Sequence, residues 1–271
     1  MNRNNMFGDT PPVVKNIIFI NVIMFVATMV LNSQFNYDLN NLLGIHYFQS
    51  KHFAVYQIVT HMFMHGSMFH IFFNMFALWM FGKVLESVWG SKRFLIYYMV
   101  TGIGAIAFNM LVQYFELAHL ANVIDAYTQN PNFGSFNAFI SKYISEPSGE
   151  LSAFIAKFGS DAKNPANINA SIDILRQYFG EVFNSPTIGA SGAVFGVLLA
   201  FGMLFPNTEL MLIFPPIPIK AKWVVIGYGA IELYTGITEP GSNIAHFAHL
   251  GGMIFGFFLI KYWAADRKTF Y

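Results

Sequence analysis

Six runs of apolar residues, each close to the length of a membrane-crossing helix, constrain this chain more than any other feature. A hydrocarbon core about 30 Å thick takes roughly 20 mostly apolar residues in a helix. The runs fall at 17–31, 67–81, 94–115, 187–205, 222–237 and 244–263, the first two slightly short and drawing on their flanks. Composition agrees: 55% of the 271 residues are hydrophobic and 11% are charged, whereas a soluble domain carries about 25% charged residues. A chain this apolar cannot cover its own surface in water. The sequence predicts an all-α, multi-pass integral membrane protein with a bundle of six transmembrane helices in a lipid bilayer. The apolar stretch 210–219 is left out of the count, because Pro215, Pro216 and Pro218 cannot share a helix interior. It reads as a membrane-surface loop.

Charge excludes some function classes and sets an orientation. The net charge of +1 gives no field for nucleic acid, and the absence of cysteine removes disulfides, thiol catalysis and thiolate metal sites. The polar stretch 1–15 precedes a first run without a small-residue cleavage site, so that run is read as a retained span. With the N-terminus inside, Arg3, Lys15, Lys83, Lys92, Arg93, Lys220, Lys222, Lys261, Arg267 and Lys268 all fall on the inner side. Lys51 alone falls in the short outer loops. Basic residues in short loops stay cytoplasmic, so both termini are expected there.

One segment departs from this composition. Residues 116–185 are rich in Asn, Ser, Ala and charge, with turn signals at Asn130-Pro131, Pro147 to Gly149 and Asn164-Pro165. Between the breaks, Phe136, Phe139, Ile140 and Tyr143 recur at helical spacing, as do Leu151, Phe154, Ile155 and Phe158, then Ile172, Leu175, Phe179 and Val182. Amphipathic helices are expected on the outer face, lying on the bilayer or packed on each other. Three regions follow: a tail and three spans at 1–115, an extramembrane helical insertion at 116–185, and three spans with a tail at 186–271.

Polar groups inside spans are costly and need a reason to be there. The fourth run opens with Thr187-Ile-Gly189-Ala-Ser191-Gly192, the sixth carries His249 before Gly252 and Gly256, and the second carries His70 and Asn74 one helical turn apart. All three runs enter from the outer side. At about 1.5 Å per residue, Ser191, His249, His70 and Asn74 lie roughly 4 to 11 Å below that surface, in one thin layer. A serine hydroxyl needs a base to take its proton, and neutral histidine suits that task. Asn74, His70 and a backbone N–H at Ser191 offer donors for a developing oxyanion. The second, fourth and sixth runs hold no acidic residue, so the arrangement reads as a Ser–His dyad. Glu232, in the fifth run, is expected to lie too far towards the outer end to join it.

The string from His61 through His65 and His70 to Asn74, the motif Gly189-Ala190-Ser191-Gly192, and Ala248-His249-x-x-Gly252-x-x-x-Gly256 together resemble the rhomboid intramembrane proteases. The resemblance covers most of residues 17–263 apart from the insertion. It implies an enzyme, a serine endopeptidase that cleaves transmembrane protein substrates in or near their spans. It implies catalysis by Ser191 and His249, with an oxyanion hole from His70, Asn74 and the Ser191 amide. It also implies that Phe195 stacks on the His249 ring, that Gly189 and Gly192 support the motif, and that His65 fixes the outer loop or the start of the second span. Two positions depart from the family: Phe195 stands where tyrosine is frequent, and Tyr56-Gln57 where many members have Trp-Arg. The insertion ends just before Ser191 and is expected to form a helical cap that affects substrate access.

Blander readings exist for each part. A Gly-x-Ser-Gly motif by itself is a helix-packing device, and a lone membrane histidine can be a satisfied interhelical hydrogen bond. His61, His65 and His70 have metal-like spacing, yet no His-Glu-x-x-His motif accompanies them. No metal or other cofactor is expected. A catalytically silent relative that binds transmembrane clients is the alternative; a transporter is a third reading. With no transit peptide in view, the compact core suggests a bacterial inner membrane, with the active site opening outward.

Overall fold

The structure is a computed structural model that describes residues 10–211, 217–239 and 244–265. Arg3, Pro215, Pro216, Arg267 and Lys268 therefore lie outside the described residues. Helix α1 (Pro12–Phe35) opens with Pro12 at its first position, where a missing N–H costs nothing. A long outer loop follows, containing the short helices α2 (Leu39–Leu43) and α3 (Gln57–Thr60) and a 3₁₀ turn over His61–Phe63. Helix α4 (Met68–Ala77) starts at Ser67, whose side chain accepts the His70 N–H as an N-cap. It runs through a π-helical turn, Leu78–Gly82, into α5 (Lys83–Trp89). Then come α6 (Ser91–Gln129), α7 (Phe133–Tyr143), α8 (Gly149–Ser160), α9 (Pro165–Asn184), α10 (Ser191–Leu204), α11 (Ala221–Thr238) and α12 (His246–Ala265).

Four helical stretches are long and apolar enough to cross a membrane among the described residues: Pro12–Phe35, Met68–Trp89, Ser91–Gln129 and His246–Ala265. Their outward faces are greasy, with Phe19, Phe69, Phe115 and Phe258 each more than 60% exposed. In water such a surface would aggregate; in lipid it is solvated. The protein is an integral membrane protein. Helix α10 is apolar but only 14 residues long, because Gly189 at φ 128° lies outside the helical region and the helix starts two residues later. The remaining apolar helix, α11, carries Lys222 and Glu232.

Of the membrane-surface loop expected over 210–219, residues 212–216 lie outside the described residues. On either side of them strand β1 (Glu209–Met211) pairs antiparallel with β2 (Pro218–Lys220), which leads into α11.

The expected boundary at 115/116 falls inside α6, which continues unbroken to Gln129 and is roughly 58 Å long at about 1.5 Å per residue. Its distal half supplies Leu120, Ile124 and Tyr127 to a second core with Phe136, Phe139, Ile140, Phe158 and Leu175. Of the two placements open to the insertion helices, packing on each other is the one observed. The membrane core is separate and holds Leu78, Leu85, Phe94, Tyr97, Tyr98 and Val197.

Close packing in that membrane core positions the chemistry. Helices α6, α10 and α12 meet through small residues. A Cβ added at Gly252 would stand 1.9 Å from the Gly192 carbonyl oxygen, and one at Gly192 would stand 2.4 Å from Ala105 Cβ. One at Gly256 would meet the Tyr97 hydroxyl at 2.3 Å. That hydroxyl donates to the Gly196 carbonyl at 2.8 Å, tying α6 to α10. Association in lipid relies on such contact, since no hydrophobic force drives helices together there.

Candidate active site

Ser191 opens α10 and His249 lies one turn into α12. His249 Nε2 and Ser191 Oγ are 2.8 Å apart, a hydrogen bond between residues 58 positions apart in sequence. The Gly192–Gly252 contact explains how they meet, since Gly192 follows Ser191 directly and Gly252 lies three residues after His249. Phe195, one turn after Ser191, stacks on the imidazole with centroids 4.2 Å apart and planes 4° from parallel. On another side Tyr228 meets the Phe195 ring edge-on at 6.2 Å.

Gly189 takes φ 128°, which an L side chain rarely adopts, and space forbids a side chain there as well. A Cβ would stand 2.9 Å from His70 Nε2 and 3.5 Å from Ser191 Oγ. His70 thus brings a ring nitrogen to the edge of the space in front of the serine. As the first residue of α10, Ser191 has no intrahelical carbonyl for its N–H. Asn74 is buried, and its Nδ2 donates back to the His70 carbonyl at 3.0 Å. To meet an oxyanion that amide must turn or share its second hydrogen.

His65 stands behind this group. It is 1% exposed, its ring packs edge-on against His70 at 4.8 Å, and neither ring nitrogen has a hydrogen-bond partner among the described residues. Burial pushes it down to about 3, the neighbouring His70 adding to the effect. His61 is also buried and pushed down to about 4. Its carbonyl accepts the Gly189 N–H at 2.9 Å, so the 3₁₀ turn helps set the serine loop.

The outer loop is organised by Gln57, at one of the two positions that depart from the family. Its Oε1 accepts the Ala54 and His46 N–H groups at 3.0 and 3.3 Å, and its Nε2 donates to the Leu42 and His52 carbonyls, both at 3.1 Å. A backbone bridge joins Ile45 to Thr187, and His46 Nδ1 lies 2.7 Å from the Asn184 carbonyl. The end of the insertion is therefore fastened to the outer loop four residues before Ser191.

One residue stands where the sequence did not place it. Glu232 is not too far towards the outer end: its Oε2 lies 2.9 Å from His249 Nδ1 and 2.6 Å from His246 Nδ1. The signal was available, because Glu232 lies about five residues from the outer end of its run, roughly 8 Å deep and inside the same layer. His246 carried no such signal.

Among the described residues, the side chains with metal-binding atoms that converge are Glu232, His246 and His249, not the His61/His65/His70 set. Their 2.6 and 2.9 Å separations are hydrogen-bond and ion-pair distances. Donors around tetrahedral zinc, bound at about 2.0–2.1 Å, stand roughly 3.3 Å apart. An ion would have to spread this group.

The chain matches the family described as the Rhomboid domain over residues 52–119 and 105–265. It belongs to the rhomboid family. This rhomboid is 25% identical over 199 residues to "Rhomboid protein 1, mitochondrial" of Saccharomyces cerevisiae, covering 73% of this chain and 39% of the yeast protein. It is 25% identical over 242 residues to "RHOMBOID-like protein 12, mitochondrial" of Arabidopsis thaliana, covering 89% and 55%. Over 112 residues it is 30% identical to "Rhomboid-like protease 3" of Toxoplasma gondii, covering 38% and 42%. The rhomboid chain thus spans well under two thirds of the length of each relative.

Proposed function

We propose that this protein is an intramembrane serine endopeptidase that hydrolyses peptide bonds in or near the transmembrane segments of other membrane proteins. The observation that carries the reading is the 2.8 Å contact between Ser191 Oγ and His249 Nε2, at the start of two closely packed helices. Family membership supports it, as does the word "protease" in the name of the Toxoplasma relative.

Ser191 Oγ attacks the scissile carbonyl carbon while its proton passes to His249 Nε2. The Ser191 N–H, His70 and Asn74 donate to the oxyanion that forms. The C–N bond then breaks, and His249 returns the proton to the departing amine. A water molecule, deprotonated in turn by His249, attacks the serine ester; the acyl C–Oγ bond breaks, His249 returns the proton to Ser191 Oγ, and the new carboxyl terminus is released. A helical peptide bond is shielded by its own hydrogen bonds, so the substrate must unwind at the cut. Small or helix-breaking residues there are favoured.

All six apolar helices are proposed to cross the bilayer, with the short α10 completed by the leg that precedes it. The basic residues support an inward N-terminus. Lys15, Lys92, Arg93 and Lys261 share the end where Arg93 lies 4.2 Å from the Trp263 ring, whereas Ser191 lies at the other. A bacterial inner membrane, both termini cytoplasmic and the site opening outward, is the proposed setting; "mitochondrial" belongs to the names of the yeast and plant relatives. The insertion, fastened beside the serine loop, is proposed as a cap on substrate access. Deleting about 122–179 should then change which substrates are cut.

Cleavage of a single-span reporter in liposomes tests the reading. Wild type should cut it, and Ser191→Ala and His249→Ala should each abolish the cut. Undiminished cleavage by both variants would sink the mechanism. No cleavage by any of them would favour a binder of transmembrane clients.

A further inference from the structure

The dyad leaves a buried carboxylate unexplained. Glu232 is 8% exposed in an apolar helix. An ionised carboxylate taken out of water costs several kcal/mol unless donors surround it. A tie between α11 and α12 through His246 would be one reason for it: His246 Nδ1 is 2.6 Å from Oε2, with the Thr235 hydroxyl 3.1 Å from the same nitrogen. Yet the same oxygen also faces His249 Nδ1, at 2.9 Å. The imidazole is therefore bracketed, with the serine hydroxyl at one nitrogen and a carboxylate oxygen at the other.

We propose that Glu232 is a positioning residue for His249, making a Ser191–His249–Glu232 line whose far end is held by His246. The proposal deepens the serine-protease reading and rests on it. A neutral imidazole carries one N–H. With the proton on Nε2, that N–H would point at Ser191 Oγ, and the Nδ1 lone pair would face a carboxylate. With the proton on Nδ1, the carboxylate contact is attractive and Nε2 is free to accept from serine. Glu232 thus selects the tautomer that acts as a base. Once Nε2 has taken the serine proton, the ring is a cation, and a fixed anion beside it lowers the energy of that state where water screens little.

Two details complete the geometry. The His249 Nδ1–H is not aligned on Oε2, so the contact at rest is an ion-pair distance without a proper hydrogen bond. The ring lies flat on Phe195, and a parallel stack lets it turn in its own plane until the two align. A carboxylate oxygen has two lone pairs, so the His246 N–H can occupy one and steady Glu232 while His249 uses the other.

The test uses a fluorophosphonate probe on the full chain in detergent, which needs no knowledge of the natural substrate. In labelling, the Ser191 Oγ–P bond forms, the P–F bond breaks, the Oγ proton passes to His249 Nε2 and fluoride leaves. Glu232→Gln should lower the maximal labelling rate roughly 10- to 100-fold with the half-saturating probe concentration unchanged, and Glu232→Asp should recover part of the loss. If Glu232 only ties α11 to α12, the Gln variant loses thermal stability while its folded fraction labels at the wild-type rate; that overturns the proposal. Should Glu232→Gln fail to fold, proton NMR of the wild type carrying the phosphonyl adduct decides, since the proton passed to Nε2 leaves the ring as the cation that turns onto Glu232. A far-downfield proton that appears on labelling and couples to His249 Nδ1 supports the carboxylate bond, and its absence from the labelled protein overturns it. Wild type that does not label, or Ser191→Ala that labels equally, instead removes the protease reading itself.

Discussion

The Phe195 ring covers one face of the His249 imidazole at 4.2 Å, nearly parallel to it. The stack fixes the tilt of a ring whose nitrogens face Ser191 on one side and Glu232 on the other. Aromatic pairs of this kind contribute about 0.5–1.5 kcal/mol beyond burial. Phe195→Ala should therefore slow fluorophosphonate labelling about 3- to 10-fold, and Phe195→Tyr, which keeps the stack, should label near the wild-type rate. Equal rates for wild type and the alanine variant would show that the ring is held by other contacts.

Gly252 allows α12 to touch α10, since an added Cβ would stand 1.9 Å from a backbone oxygen that cannot move aside. Gly252→Ala should cost about 1–3 kcal/mol or more and lower the thermal unfolding temperature in detergent. Labelling of Ser191 should fall with it, because the helices that carry the dyad are forced apart. Gly227→Ala is the control. Among the described residues nothing lies within 4 Å of a Cβ there, so stability should hold or rise.

Glu86 is a buried carboxylate with a structural duty at the opposite end of the molecule. It accepts the Val13 and Val14 N–H groups at 3.0 and 2.8 Å and the Ser91 hydroxyl at 2.6 Å, capping α1 from within α5. Glu86→Ala leaves two helix-start donors without a partner and should cost about 2 kcal/mol. Folded protein should still label at the wild-type rate, since Glu86 is remote from Ser191. A melting temperature unchanged from wild type would show that water replaces the cap.

What the sequence made legible followed from length, periodicity and motif. The apolar runs match the helices to within about five residues at every end but two, the second stopping eight residues short of Trp89 and the third fourteen short of Gln129, and the Phe and Leu spacing marks the insertion helices. Ser191 and His249 follow from a shared depth and a motif, Phe195 from the family resemblance alone, and the three lie in contact in the structure. Glu232 lies at the same depth on a neighbouring helix, where no motif marks it. The length of α6 was hidden for another reason. Its distal half is amphipathic, so the run of apolar residues ends at the membrane although the helix does not. Asn74 shows a third limit: spacing puts it on the His70 face, but which group its amide reaches depends on a rotamer.

His61 links acid stability to the serine loop. It is 4% exposed, and burial holds it at about 4, below the ordinary histidine value of 6.5. Between those values the unfolded chain binds a proton that the folded protein does not, so stability must fall as pH drops from about 6.5 to about 4. Above that window the group is neutral in both states and contributes no pH dependence. His65, held lower still, steepens the same slope. Because the His61 carbonyl accepts the Gly189 N–H, charging His61 should also loosen the backbone that presents Ser191. The check is the unfolding temperature in detergent across this window for wild type and His61→Gln, which keeps a side-chain donor for the Gln57 carbonyl but cannot titrate. The variant should show a shallower fall than wild type. Parallel curves would mean that His61 charges without disturbing the fold, and that acid loss begins elsewhere.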